Sequence, residues 1–239
     1  MATATNDGGA ARMIVHNDSV GRFRSIATCL TLPLTLVGCA SPGPVPFAGI
    51  VSSPSLRPNS EDKSGRVPYS YSTPVDWRRY HAIIIEPVAI YSGRDNQFGK
   101  ISDENRKQLA DYMQEQFTEK LGAVFDVVEK PGPGTIRLQL TLTGAATSKA
   151  VLGTFSRFDL VGGPYNAVQS ARGREGSMTG SVIYTVEIFD APSGRLLRAF
   201  VTKQYPDAMN IKASLGPLRA SMTGIRKGAE ELAEQLRGR

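Results

Sequence analysis

Cysteine and histidine are almost missing from these 239 residues: there are two of each, and a single tryptophan. Two cysteines, Cys29 and Cys39, are too few for the disulfide framework of a small secreted domain or for a cysteine zinc site. The histidines are His16 and His81, which leaves little for a metal centre. Long apolar runs are missing too. The best, Ser25 to Gly38, is about 14 residues, short of the roughly 20 that cross a hydrocarbon core. Complete catalytic motifs are also lacking. Gly93 and Gly99 have one residue too many between them for a phosphate loop, and Ile101 stands where Ser or Thr must ligate magnesium. In Gly176-Ser177-Met178-Thr179-Gly180 the serine is beside the first glycine, which is not a nucleophile elbow. Ser60-Glu61-Asp62-Lys63 has the Ser-x-x-Lys spacing without its supporting motifs. No catalytic residue, cofactor or metal site is expected.

What is present begins with a leader. Arg22 and Arg24 form a positive segment, and the apolar run follows it to Leu36-Val37-Gly38-Cys39. This arrangement resembles a bacterial lipoprotein signal peptide over residues 1–38. Leu36, Val37 and Gly38 would be the signal-peptidase recognition residues, and Cys39 would carry the lipid. The competing reading is an ordinary signal peptide cut near Cys39 with no lipid. Cys29 is a weaker acceptor, because Thr28 is bulkier than the Gly or Ala normal before a modified cysteine. The start is Met1 or Met13, the latter giving a more compact basic segment.

Cleavage there removes Cys29 and His16, leaving Cys39 as the only cysteine and His81 as the only histidine. It lowers the net charge by one unit from the +6 of the whole chain. This mild, dispersed excess suits anionic lipid or envelope polymer and is too diffuse for nucleic acid.

Residues 40–66 hold five prolines, six serines and three glycines, with few aliphatics. Together with the acylated cysteine they read as a flexible tether, residues 39–66, whose coil would reach roughly 30 Å. The remainder, residues 67–239, is one globular domain's worth of chain.

Within it, His81–Tyr91 reads as a first strand with a break at Pro87. Ser102 caps a helix whose stripe is Leu109, Met113, Phe117 and Leu121, with Gly122 as a left-handed stop. Val124–Glu129 is a short strand. The turn Pro131-Gly132-Pro133-Gly134 leads into Thr135–Thr143, where apolar and polar residues alternate cleanly. Gly176–Asp190 and Arg195–Tyr205 form a hairpin, and Leu218 to Leu236 carries a second helical stripe. These elements predict an α+β fold: a two-layer sandwich with a mostly antiparallel sheet of about five strands and two amphipathic helices on one face. The other sheet face is expected to be mixed and at least partly wet.

Two regions stand out as a partner or ligand surface. Trp77 and Tyr80 lie where the chain enters the domain; they pack the arm onto the core or, on the sharper reading, form a stacking surface. Residues 149–175 make a long segment with Phe155, Arg157, Phe158 and Tyr165, read as a partner-binding flap, a cover for the sheet, or a stretch that includes a short helix.

Three stretches carry a family resemblance. They are Val75-Asp76-Trp77-Arg78-Arg79-Tyr80 with Ile85-Glu86-Pro87-Val88, then Pro131-Gly132-Pro133-Gly134-Thr135, then Gly180 to Gly194. Here the chain resembles the domain-of-unknown-function 3313 family of proteobacterial lipoproteins. That resemblance implies a Gram-negative envelope protein with no known site residues. Ala40, in place of Asp after the cysteine, would imply outer-membrane sorting on the periplasmic side. The expectation is a non-enzymatic envelope protein, held to the membrane by lipid on Cys39, with a protein partner. The alternative is a small-ligand or glycan-binding protein.

Overall fold

The computed structural model describes residues 43–147, 168, 180–207 and 216–237. Its centre is one mixed sheet. In chain order the strands are β1 (Arg57–Pro58), β2 (Tyr69–Ser72), β3 (Ala82–Ile85), β4 (Ala89–Ile90), β5 (Asp126–Val127), β6 (Thr135–Ala146), β7 (Ser181–Asp190) and β8 (Leu196–Gln204). The spatial order is β1-β2-β8-β7-β6-β3-β5, with β4 also beside β6. Among the described residues, two long helices, α1 (Asp103–Gly122) and α2 (Arg219–Arg237), complete the layers.

The expected α+β sandwich is present, but the sheet has eight strands rather than about five. The β6-β7-β8-β2-β1 side is antiparallel, while β3 and β4 run parallel to β6 and β5 runs parallel to β3. The parallel pairs arise because α1 is a crossover between β3 and β6. The expected strand His81–Tyr91 is two short strands broken around Pro87. Proline offers no N–H to a ladder.

β6 follows its alternation: Ile136, Leu138, Leu140 and Leu142 are almost wholly buried under the helices. On α1, Leu109, Met113, Phe117 and Leu121 are all 0% exposed. Burial of each such side chain contributes about 1.5–3 kcal/mol. The Ser102 hydroxyl accepts from the Asn105 N–H at 3.3 Å, and Asp103 and Glu104 occupy the positive end of the helix dipole. The helix leaves through Ala123 at φ −78°, so Gly122 is not the left-handed stop expected.

α2 approaches the sheet through Gly224 and Gly228. A β-carbon on Gly228 would lie 1.8 Å from the Tyr184 hydroxyl oxygen, and one on Gly224 would lie 2.9 Å from the Gln204 carbonyl. Phe117 meets Tyr184 edge to face at 5.8 Å, joining α1 to the same region of the sheet. The hairpin turns at Gly194, whose φ of +68° suits glycine.

The largest departure concerns residues 43–66, expected as the greater part of a flexible tether. Phe47, Ile50 and Leu56 are buried in a second cluster with Ile183, Ala199 and Val201, on the sheet face away from the helices. The folded unit therefore begins at least as early as Gly43, not at 67. The sheet face expected to be mixed and partly wet is covered along β7, where Ile183, Thr185, Glu187 and Phe189 are buried, and stays half-buried at Arg137, Gln139 and Thr141 of β6. A handful of large apolar residues was enough to fold a segment otherwise rich in proline and serine.

Candidate functional site

Residues 43–56 form a strap across the second sheet face, and three sets of contacts fix it. At its start, the Gln97 side-chain amide donates to the Gly43 carbonyl at 2.8 Å. Gln97 is itself tied to the sheet: its N–H donates to the Thr143 carbonyl at 2.8 Å, and it bridges Gly144.

In the middle, Phe47 packs edge-on to Tyr91 at 5.4 Å. The Tyr91 hydroxyl donates to Asp95 Oδ1 at 2.6 Å and accepts from the Gly49 N–H at 3.0 Å. Asp95 Oδ2 accepts from the Ala48 N–H at 3.0 Å. The Tyr91 hydroxyl and then the Ala48 N–H hold the Asp95 carboxyl below its ordinary range. The same hydrogen bond raises the Tyr91 phenol.

Further along, the Ser52 N–H donates to Glu187 Oε1 at 2.7 Å in a buried setting. The Ser53 hydroxyl donates to the Phe47 carbonyl, and a 3-10 turn at Ser53–Ser55 closes the strap. β1 then joins the sheet edge through β2. On β2, Tyr69 and Tyr71 pack against the same cluster as the strap.

The loop after β4, a failed phosphate loop in sequence, is the clasp that receives the strap. Sequence reasoning missed the strap, although one signal was legible. Phe47, Ile50 and Leu56 are three large apolar residues in a polar segment, and Ile183 and Phe189 sit on the sheet face expected to be mixed.

The other expected surface residues sit differently. Trp77 and Tyr80 are 8% and 6% exposed and belong to the main core. Their rings lie 6.2 Å apart, and the Tyr80 hydroxyl donates to Asp190 Oδ1 at 2.9 Å, tying the start of the domain to the hairpin turn. Burial and then that hydrogen bond raise the Tyr80 phenol. The Ser193 hydroxyl, with Tyr80 behind it, lowers Asp190. These aromatics are therefore structural, and the glycan-stacking reading loses its platform. Phe155, Arg157, Phe158 and Tyr165 lie outside the described residues, as do Leu36, Val37, Gly38 and Cys39.

A cavity of about 40 Å³ lies between α2 and the sheet, lined by Tyr184, Thr202, Gln204 and Glu231 among others. It holds roughly three waters at most and is too small for an organic ligand. Among the described residues there is no group of three His, Cys, Asp or Glu side chains placed to hold a metal. Among them, too, no helix is long and apolar enough to cross a membrane.

Comparison with known proteins gives one family and a set of distant folds. The family model described as "Protein of unknown function (DUF3313)" matches residues 46–232, from within the strap to the end of α2. No curated protein matches the sequence. Among solved structures, the PelC dodecamer from Paraburkholderia phytofirmans is similar at 12% identity. The match covers 69% of this chain and 94% of that one, with a TM-score of 0.37. The hypothetical protein CT253 from Chlamydia trachomatis is similar at 10% identity, with 67% and 99% covered and a TM-score of 0.37. Protein XCC0632 from Xanthomonas campestris is similar at 6% identity, with 68% and 88% covered and a TM-score of 0.30.

Proposed function

The chain belongs to the DUF3313 family, and we propose that it is a non-enzymatic lipoprotein of the Gram-negative envelope. Lipid on Cys39 anchors it to the inner leaflet of the outer membrane, and the domain faces the periplasm as an accessory to a protein partner.

The observation that carries this reading is Leu36-Val37-Gly38-Cys39, placed at the end of an apolar run too short to span a bilayer. The strap supports it, because Gly43, four positions beyond the cysteine, is already engaged by Gln97. The outer-membrane assignment rests on Ala40. The partner is inferred from residues 149–175, whose Phe155, Arg157, Phe158 and Tyr165 offer aromatic and cationic side chains of the kind enriched at interfaces.

Membrane fractionation tests the anchor. The native chain partitions with outer membranes, and Cys39→Ala releases it. A Cys39→Ala chain still held in the membrane through detergent-free washes overturns the lipid anchor. Crosslinking in intact membranes tests the partner. Deleting residues 150–174 removes the captured protein, whereas an unchanged set of crosslinks in a folded deletion variant contradicts the partner assignment.

A further inference from the structure

We infer that the end of the sheet carrying Gly43 and the Tyr91–Lys100 loop lies against the lipid headgroup layer, with the Asp190–Arg195 hairpin turn pointing away from the membrane. This rests on lipidation of Cys39 as proposed above, and adds to it an orientation and a lipid-facing surface.

The first argument is reach. A flexible tether through residue 66 would let the domain drift. The described chain is instead fixed from Gly43 by the Gln97 amide and by Phe47, which is 0% exposed. Four Cα–Cα steps separate Cys39 from Gly43, so the acylated residue lies within roughly 15 Å of a fixed point on the fold. The domain has no room to stand clear of the bilayer.

The second argument is which part that fixed point belongs to. Gln97 bridges Gly144, and Gly144 and Ala146 pair with Ile183 and Ser181. Gly43 is therefore at the end of the sheet where β6 finishes and β7 begins. The opposite end, where Ile136 pairs with Asp190, carries the hairpin turn. Ten residues of β7 separate the two ends, roughly 30 Å.

The third argument is charge. Arg94 and Lys100 flank Gln97 and are exposed. The loop's one carboxylate, Asp95, turns its two oxygens to Tyr91 and Ala48. Next along the chain, Asp103 is paired with Arg106 at 3.0 Å, while Glu104 lies on the first turn of α1. The loop thus presents two cations beside the anchor point, matched to anionic lipid phosphate.

The mature chain has no cysteine besides Cys39, which makes a single-probe experiment clean. Acylated chains carrying Ser92→Cys or Pro192→Cys, both exposed positions, take a fluorophore. Each is placed in phosphatidylethanolamine–phosphatidylglycerol vesicles containing a headgroup-nitroxide lipid. Intact mass first establishes that Cys39 is acylated. The probe at 92 is then quenched at least about threefold more than the probe at 192, given the roughly 30 Å between the sheet ends. A Gly-Ser spacer of about 12 residues inserted between Pro42 and Gly43 abolishes the difference. Equal quenching in the acylated protein without the spacer, or stronger quenching at 192, overturns the orientation while leaving the anchor intact. A mass without acyl chains overturns the anchor itself, and the orientation with it.

Discussion

The backbone N–H of Ser52 donates to Oε1 of Glu187 at 2.7 Å, across 135 residues of sequence. Glu187 is 3% exposed and lies on the sheet face away from the helices, between Gln139 of β6 and Ala199 of β8. Its carboxylate caps a backbone donor that the strap has taken out of water. Removing such an acceptor leaves a buried donor unpaired, at a cost of about 1–3 kcal/mol. Glu187→Ala is therefore expected to lower the unfolding free energy by that amount and to speed amide exchange at Ser52. Glu187→Gln keeps an acceptor oxygen and is expected to cost less. Equal losses in urea unfolding of the two variants would show that the hydrogen bond does not hold the strap.

The strap's clasp is acid-sensitive. Asp95 titrates below its ordinary value of 3.8, because it accepts from Tyr91 and from the Ala48 N–H. Above 3.8 the folded and unfolded carboxylates are both ionised, and the contribution is complete. As pH falls through that value, the unfolded chain takes up the proton first, and the stabilisation is lost as the folded group follows. The Ala48 amide chemical shift is expected to titrate with a midpoint below 3.8, and Asp95→Asn to remove that titration. A midpoint above 3.8 contradicts the clasp.

α2 reaches the sheet because Gly228 has no side chain. Gly228→Ala gains about 1 kcal/mol of helix propensity. Its β-carbon nevertheless meets the Tyr184 hydroxyl at 1.8 Å, so Tyr184 or the helix must move. Overpacking of this kind costs about 1–3 kcal/mol, and a net destabilisation is expected. Tyr184→Phe removes the clashing oxygen but leaves the ring carbon that bore it 3.1 Å away, so rescue is partial. Gly43→Ala has open space and is the neutral control. Thermal unfolding of Gly228→Ala, of the Gly228→Ala/Tyr184→Phe double variant and of Gly43→Ala checks the ordering.

Trp77 is the only tryptophan and is 8% exposed. Its emission is expected to be blue-shifted in the native protein and red-shifted on unfolding, with weak quenching by iodide. Trp77→Ala removes a core ring beside Tyr80 and costs about 3–5 kcal/mol. Strong iodide quenching of the native protein would restore the surface reading of this residue.

What the sequence disclosed divides by how local the signal was. β6 alternates, α1 repeats every fourth residue behind a serine cap, and the hairpin brackets a Pro-Ser-Gly turn; each can be read from neighbours alone. The strap cannot be read that way. Its prolines and serines resemble a linker, and its partners Glu187, Val201 and Tyr91 lie far along the chain. Tyr69 and Tyr71 alternate with serine, a strand signal too short to stand without β8 beside it. Trp77 and Tyr80 were ambiguous for another reason. An aromatic pair at the start of a domain packs inward or faces outward, and burial of both rings in the main core, with the Tyr80 hydrogen bond to Asp190, decides between the two.

The central claim is that this domain is held to a membrane through Cys39, and the mature N-terminus tests it most directly. Mass analysis of the N-terminal peptide from membrane-extracted protein is expected to begin at Cys39 and to carry a diacylglyceryl group with an N-acyl chain. Globomycin treatment is expected to leave the uncleaved precursor. A mature chain beginning elsewhere, or beginning at Cys39 with an unmodified thiol, contradicts the account.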